Sequence, residues 1–566
     1  MTRHKSHFGK FYHKTLIKII PISIVLALLY GCYIPGGQHS KNEIGLYQEG
    51  DLTSAPINIE FTLVLPQALA NNEKVFIEIL DEVTGLPNNT KRYELEEVND
   101  LEFSIRLLVP SFSVIKYRYA IFNGATYQSE QQSSGEPVRY RLYYAQTPGQ
   151  SRDILYSWGD QPILVATGRL EGQIFDKSTQ SPIPDILVSA GGKLAFSDIY
   201  GKFLIDGMVD GQQNVVFYAP DGHYQTYQQA ALISAGQITP AQLELQPRQT
   251  VKVSFRVAPP QDAFGAPVYL AGNLVQLGNT FSNLTGSMSI NPKLMPQLIP
   301  QEDGALSIDL RLYSGTDLRF KFTLGDGFWN AEQDPSGGFR VRQLIVPDHD
   351  ITLDLSIAAW RTSGFEPITF QVSNPPETSP EDEKFIQFKI QEWTEPIPLW
   401  QTGIGNYLYI LFSPFTKDDL ISYRFCRNAD CIDGLNGEMQ SSLSQVQPKK
   451  EPQTVTVDIN NWNGWQANQS NIDFTPSPAP VYYGPYATMV ELSPEMNSYW
   501  QLYAPPTFEH LSAMGTNTVI LTPQWKAAAN APLLFPALGQ TLFSSQLTNL
   551  LAQAQLNDLE TGLYPQ

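Results

Sequence analysis

Trp329 follows the turn "GDGF" rather than sitting inside a strand, with Asn330 next to it and Glu332 three residues on. Lys321 lies on the preceding alternating run, "RFKFT", in step with Arg319 and away from Phe320 and Phe322. This combination suits one kind of chemistry. A pyranose ring has an apolar C–H face, which a flat aromatic covers, and a polar rim, which amide and charged groups bond. Trp329, Lys321, Asn330 and Glu332 are therefore read as carbohydrate-binding residues. The competing reading is that the aromatics fill cores of spacer domains. Tyr127, beside Arg118 and Glu130, stands near the corresponding place in an earlier segment and is read as a weaker version of the same site.

Other chemistry is sparse. The seven histidines are scattered, and none pair at ligand spacing. No phosphate-binding glycine loop, nucleophile elbow or HExxH motif is present, and neither a cofactor nor a metal is expected. Cys426 and Cys431 form a close pair, which in an exported chain points to a disulfide across a turn. Two cysteines without a neighbouring histidine or second pair do not make a structural zinc site.

The elements that must position these residues read as strands. The chain has 566 residues, 42 prolines, 40 glycines and 11% aromatics, with few helical patterns. The class is mainly β, with several domains. Three segments share an order. Each opens on an alternating strand that runs into proline ("INIEFTLVLP", "VKVSFRVAPP", "PITFQVSNPP"). Each has a doubly aromatic strand carrying Arg118, Lys321 or Arg424, and each closes near Trp158, Trp360 or Trp462. A loose repeat of roughly a hundred residues with period-2 alternation is a β-sandwich used three times. The formal charge is −19, while the first 31 residues carry only basic charge. An acidic surface of that kind argues against nucleic acid as a partner.

A basic leader and the short apolar run "IIPISIVLALLY" precede "LLYGC". This end resembles the bacterial lipoprotein cleavage box. The resemblance implies a signal peptide over 1–31, lipidation at Cys32, a polar tether over 32–55, and an exported protein anchored to a membrane by lipid. An uncleaved signal anchor is the alternative.

Residues 165–247 run strand, proline turn, strand, then "SDIYG" before "KFLIDGM". They resemble the carboxypeptidase regulatory-like (transthyretin-like) domain, a sandwich that serves as a spacer. "VYLAGNLVQLGNT" followed by "LRFKFTLGDGFWNAEQDP" resembles a family 20 starch-binding module, with Lys321 and Trp329 on matching positions. Thr280 stands where that family has its first platform tryptophan. "FEHLSAMGTNTVILTPQW" resembles the first unit of a family 113 glycoside hydrolase (β/α)8 barrel, with a helix expected over Pro506–Met514 and Gln524 and Trp525 at the rim. A full barrel needs roughly 250 residues, and Glu509, Asp558 and Glu560 do not fall at strand ends, so the chain as given is not expected to be catalytic.

The expected architecture is a string: a starch-binding-like sandwich at 56–160, the transthyretin-like sandwich at 165–247, a family 20-like sandwich at 250–361, a further sandwich at 367–475, and an incomplete barrel at 483–566. Two functions compete. One is the polysaccharide-binding front of a surface glycoside hydrolase acting on starch-like glucan or mannan. The other is a non-enzymatic surface scaffold or adhesion lipoprotein.

Overall fold

The computed structural model describes residues 44–46, 55–70, 72–80, 83, 90–158, 166–260, 266–278, 294–325, 330–334, 340–360, 364–375, 378, 379, 382–389, 393, 396–412, 414, 420–427, 444–460, 462, 488–492, 500–523, 525–527, 534–536, 542 and 544–564. Cys32, Trp329, Cys431 and Gln524 lie outside these residues, as does the leader.

The molecule is mainly β. In Pro56–Val64 the alternate residues Ile59, Phe61 and Leu63 point inward and are fully buried. This opening strand is central in its sheet. It runs antiparallel to Glu102–Pro110 and parallel to Gly149–Ile154, the strand that closes the unit. A parallel partner cannot follow by a hairpin, so the chain crosses to a second sheet before returning. That second sheet contains Lys74–Ile79, Lys91–Glu94, Ser113–Phe122, Tyr127–Gln131 and Arg141–Ala145.

The same plan recurs. Thr250–Ala258 lies between Leu306–Tyr313, antiparallel, and Ile351–Ser356, parallel. Ile368–Ser373 lies between Asn406–Leu411 and Gln453–Asp458 in the same two senses. Trp360 and Trp462 are buried where the second and third units close, and Trp158 packs half-buried on the first core. In the intervening unit Thr167–Asp176 likewise pairs antiparallel with Lys202–Val209 and parallel with Ile238–Leu245. Its tight turn forms as its residues require. Asp198 accepts the amides of Tyr200 and Lys202 at 2.9 and 2.8 Å, and Gly201 adopts φ 71°.

Two expectations need correction. The 32–55 segment is not a tether throughout, because Ile44–Gly45 adds a parallel strand beside Leu107 and Leu108. Nor are the sandwiches beads on a string. A buried cluster of Tyr140, Leu142, Leu187, Leu194, Val216 and Tyr218 joins the first sandwich to the unit that follows it. Asp317 of the second sandwich accepts the amide of Val114 in the first at 2.8 Å. Phe412 from the third sandwich lies in the core of the second.

At the C-terminal end, Met489–Glu491, Thr518–Leu521 and Glu560–Leu563 form a three-stranded parallel sheet covered by two helices, Trp500–Ala513 and Ser544–Leu556. The strands expected around Thr518 and Glu560 gain a third neighbour at Met489. The first helix begins before the expected Pro506 and carries Pro505 and Pro506 inside it. Gly515 follows it at φ 88°, the left-handed geometry a helix stop favours. An α/β barrel is not formed among the described residues.

Candidate functional site

The polar groups assigned to sugar in the second sandwich point elsewhere. Lys321, Asn330 and Glu332 are each 0% exposed. The outward face of Asp317–Thr323 is covered. Lys321 pairs across with Ala271, which is buried in a cluster with Met295 and with Val83 from the first sandwich. Asn330 is spent on the third sandwich. Its amide donates to the Tyr409 hydroxyl at 3.1 Å and the Ile410 carbonyl at 2.7 Å, and its oxygen accepts the Phe412 amide at 2.8 Å. Glu332 accepts the Phe322 amide at 3.3 Å and takes Arg342 at 2.9 and 2.8 Å, while Arg342 also donates to the Ser356 carbonyl at 2.6 Å. These side chains, as they stand, hold the fold and do not face a ligand.

The first sandwich repeats the Glu–Arg device. Glu130 accepts the Tyr119 amide at 3.0 Å and takes Arg141 at 3.0 and 2.7 Å. Arg141 continues to Asp153 at 3.3 Å, and Asp153 accepts both the Tyr117 and Tyr119 hydroxyls at 2.8 Å. Burial, reinforced by the Asp153 charge, raises both tyrosines well above the ordinary value, so they remain donors. Glu130 is therefore interior and not part of a surface site with Tyr127.

What the first sandwich does present is the outer face of its second sheet. Tyr117, Tyr119 and Ile121 point into the core, so Arg118, Ala120 and Phe122 point out. Register places Glu78 beside Arg118 and Arg92, and Tyr127 beside Phe122. Glu78, 1% exposed, accepts Arg92 Nε at 2.7 Å and Arg118 Nε at 2.5 Å. The terminal nitrogens of both arginines donate no hydrogen bond within the protein among the described residues. Tyr127 is 42% exposed, with its centroid 5.3 Å from Phe76 and 4.8 Å from Phe122 and the Arg92 guanidinium 4.3 Å away. The face thus offers an exposed aromatic and two arginines whose orientation is fixed through Nε. Tyr127 and Arg118 were legible in the sequence; Phe76, Arg92 and Glu78 were not. Only cross-strand pairing brings them together.

In the third sandwich Cys426 is half of a disulfide. Among the described residues no cluster of three or more metal-ligating side chains occurs, and no helix is long and apolar enough to cross a membrane.

No family model matches the sequence, and no curated protein does. Solved structures with similarity include the Bacillus anthracis TIE protein, at 9% identity over 74% of this chain and 73% of that one, with a TM-score of 0.14. A Streptococcal ancillary pilin has 10% identity over 52% and 98%, with a TM-score of 0.18. The family 15 glucoamylase from Hypocrea jecorina has 15% identity over 21% and 20%, with a TM-score of 0.15. At such scores these likenesses carry no argument about this chain, and the function is argued from its own residues.

Proposed function

We propose that this chain is an exported scaffold of packed β-sandwiches, lipid-anchored at Cys32 and braced by a Cys426–Cys431 disulfide, that binds polysaccharide through the outer face of its first sandwich. The glycan classes that the sequence resemblances favour are starch-like glucan and mannan. In this reading Trp329 adds a further stacking surface on the second sandwich, and the parallel strand–helix unit at 488–564 would belong to a glycoside hydrolase that the sandwiches serve.

One observation carries the proposal. Tyr127 is a large exposed ring that fills no core, set beside Arg92 and Arg118, whose terminal nitrogens have no hydrogen-bond acceptor among the described residues. A sugar face can stack on the ring while the guanidinium groups bond hydroxyls. A second reading, a scaffold that binds no glycan, is favoured by Asn330 and Glu332, whose polar atoms are spent on packing. Affinity electrophoresis of the purified protein in starch and in mannan separates the two. Retardation is expected in one of them, weakened about tenfold by Tyr127→Ala, the equivalent of a lost aromatic contact, with the thermal midpoint unchanged. No retardation of the wild type leaves the scaffold reading in possession, whereas retardation undiminished in Tyr127→Ala removes the first-sandwich face as the site.

A further inference from the structure

The third sandwich carries, on the face away from its core, a related arrangement with one change that matters. Lys384–Lys389 and Ile421–Arg427 pair antiparallel with Gln387 opposite Arg424, as Glu78 stands opposite Arg118 in the first sandwich. Ile386, Phe388, Tyr423 and Phe425 fill the core, so Gln387, Lys389 and Arg424 share the outer face. Arg424 Nε donates to Gln387 Oε1 at 2.6 Å. Its terminal nitrogens donate no hydrogen bond within the protein among the described residues. The guanidinium lies 4.3 Å from the ring centroid of Trp393, which is half-buried and held beside the exposed Lys389 by a β-bridge.

The change is in charge. At the first sandwich the Glu78 carboxylate sits between two guanidinium groups and offsets them. At the third a neutral amide takes its place, and Lys389 adds a second cation. Burial draws the Arg424 pKa down. A guanidinium pinned through Nε presents its remaining N–H groups as a fixed fork, which matches the two oxygens of a carboxylate. The guanidinium covers one face of the neighbouring indole, and the exposed remainder of that half-buried ring is the apolar surface a sugar would meet.

We infer that Trp393, Arg424 and Lys389 form a second glycan site, and that the sugar it takes bears a carboxylate. The inference rests on the polysaccharide-binding reading for the protein's role, but its residues are its own. The rest of the chain is acidic, so attraction for such a ligand is local and falls as salt screens it.

Calorimetric titration of the purified protein with an oligogalacturonate and, separately, with a malto-oligosaccharide and a manno-oligosaccharide provides the test. Oligogalacturonate binding at low salt is expected to weaken about tenfold in Arg424→Lys, which keeps the charge and loses the fork, and in Trp393→Ala. Uronate binding that survives Arg424→Lys undiminished, or no uronate binding by the wild type, overturns the inference. If neutral-glycan binding is lost in Tyr127→Ala while uronate binding ignores Trp393 and Arg424, only this inference falls. The reverse pattern removes the first-sandwich site and leaves this one standing. Should Trp393→Ala lower the thermal midpoint, Arg424→Lys alone decides.

Discussion

Glu332–Arg342 and Glu130–Arg141 occupy equivalent places in two sandwiches, each pair tying a strand amide to the carbonyl of a closing strand. Arg342 is the counter-ion of a carboxylate that is 0% exposed. Arg342→Met should therefore destabilise the protein by about 3–5 kcal/mol, and adding Glu332→Leu should recover part of the loss, because the cost lies in an uncompensated buried charge. Urea midpoints of the two variants test this; equal midpoints would remove the argument. A different residue sets a pH dependence. Burial pushes the Lys193 ammonium down to about 8, against the attraction of Asp206 and Glu136. Between about 8 and the ordinary value near 10.5 the unfolded chain binds more protons than the folded one, so this group makes stability rise with pH across that window. Buried tyrosines such as Tyr140, raised by burial, act oppositely above about pH 10, so the clean range ends there. Lys193→Met should be more stable than wild type at about pH 7 and should lose the rise between about pH 8 and pH 9.5. Urea midpoints at both ends of that range check it. At this scale the sequence misled for a physical reason. Period-2 alternation correctly put Phe320 and Phe322 inward and Lys321 outward, but outward is not exposed when a neighbouring sandwich supplies Val83 and covers the face.

The strands themselves were legible because each opening strand alternates: Thr250–Ala258 and Ile368–Ser373 bury every second residue, and Pro56–Val64 does so from Ile59 onward. Their pairing partners were less so. Ile44–Gly45 is too short to show a period, and its parallel place beside Leu107 depends on the folded sheet. Proline favours the first turn of a helix, so Pro506 marks a start in the sequence, whereas both Pro505 and Pro506 lie inside helix Trp500–Ala513. One element joins modules in a way no pattern announces. Asp317, at the start of Asp317–Thr323, accepts Val114 N–H at 2.8 Å from the first sandwich and Gln343 Nε2 at 2.7 Å from its own. Asp317→Ala leaves these buried donors without that acceptor, at about 1–3 kcal/mol for each one stranded. Amide exchange should therefore quicken at Val114, at the seam, while the amides of Thr250–Ala258, deep in the second sandwich, keep their protection. Uniform acceleration across both would mean that Asp317 supports the second sandwich as a whole and not the seam.

The seams determine how the whole molecule comes apart. Domains joined only by linkers melt independently, and those sharing buried surface melt together. Here the first sandwich shares the Tyr140–Tyr218 cluster with the unit that follows it, and Arg248, at the end of that unit, reaches the Ser314 carbonyl and Thr316 hydroxyl of the second sandwich at 3.2 and 3.0 Å. The second and third sandwiches share Phe412 and the Asn330 bonds. The C-terminal sheet and helices, by contrast, bury a cluster of their own around Phe508, Val519 and Leu550. Calorimetry of the full chain should show one large transition for the four sandwiches and a separate one for the C-terminal unit. Asn330→Ala should split a third-sandwich transition from the large one, because it removes three bonds across that seam. It should leave the C-terminal transition where it was. Four resolved sandwich transitions in the wild type would restore the picture of independent beads. In that case the faces around Tyr127 and Trp393 would not be held in a fixed relation, and any long glycan bound at both would gain only the effective concentration its linkers allow.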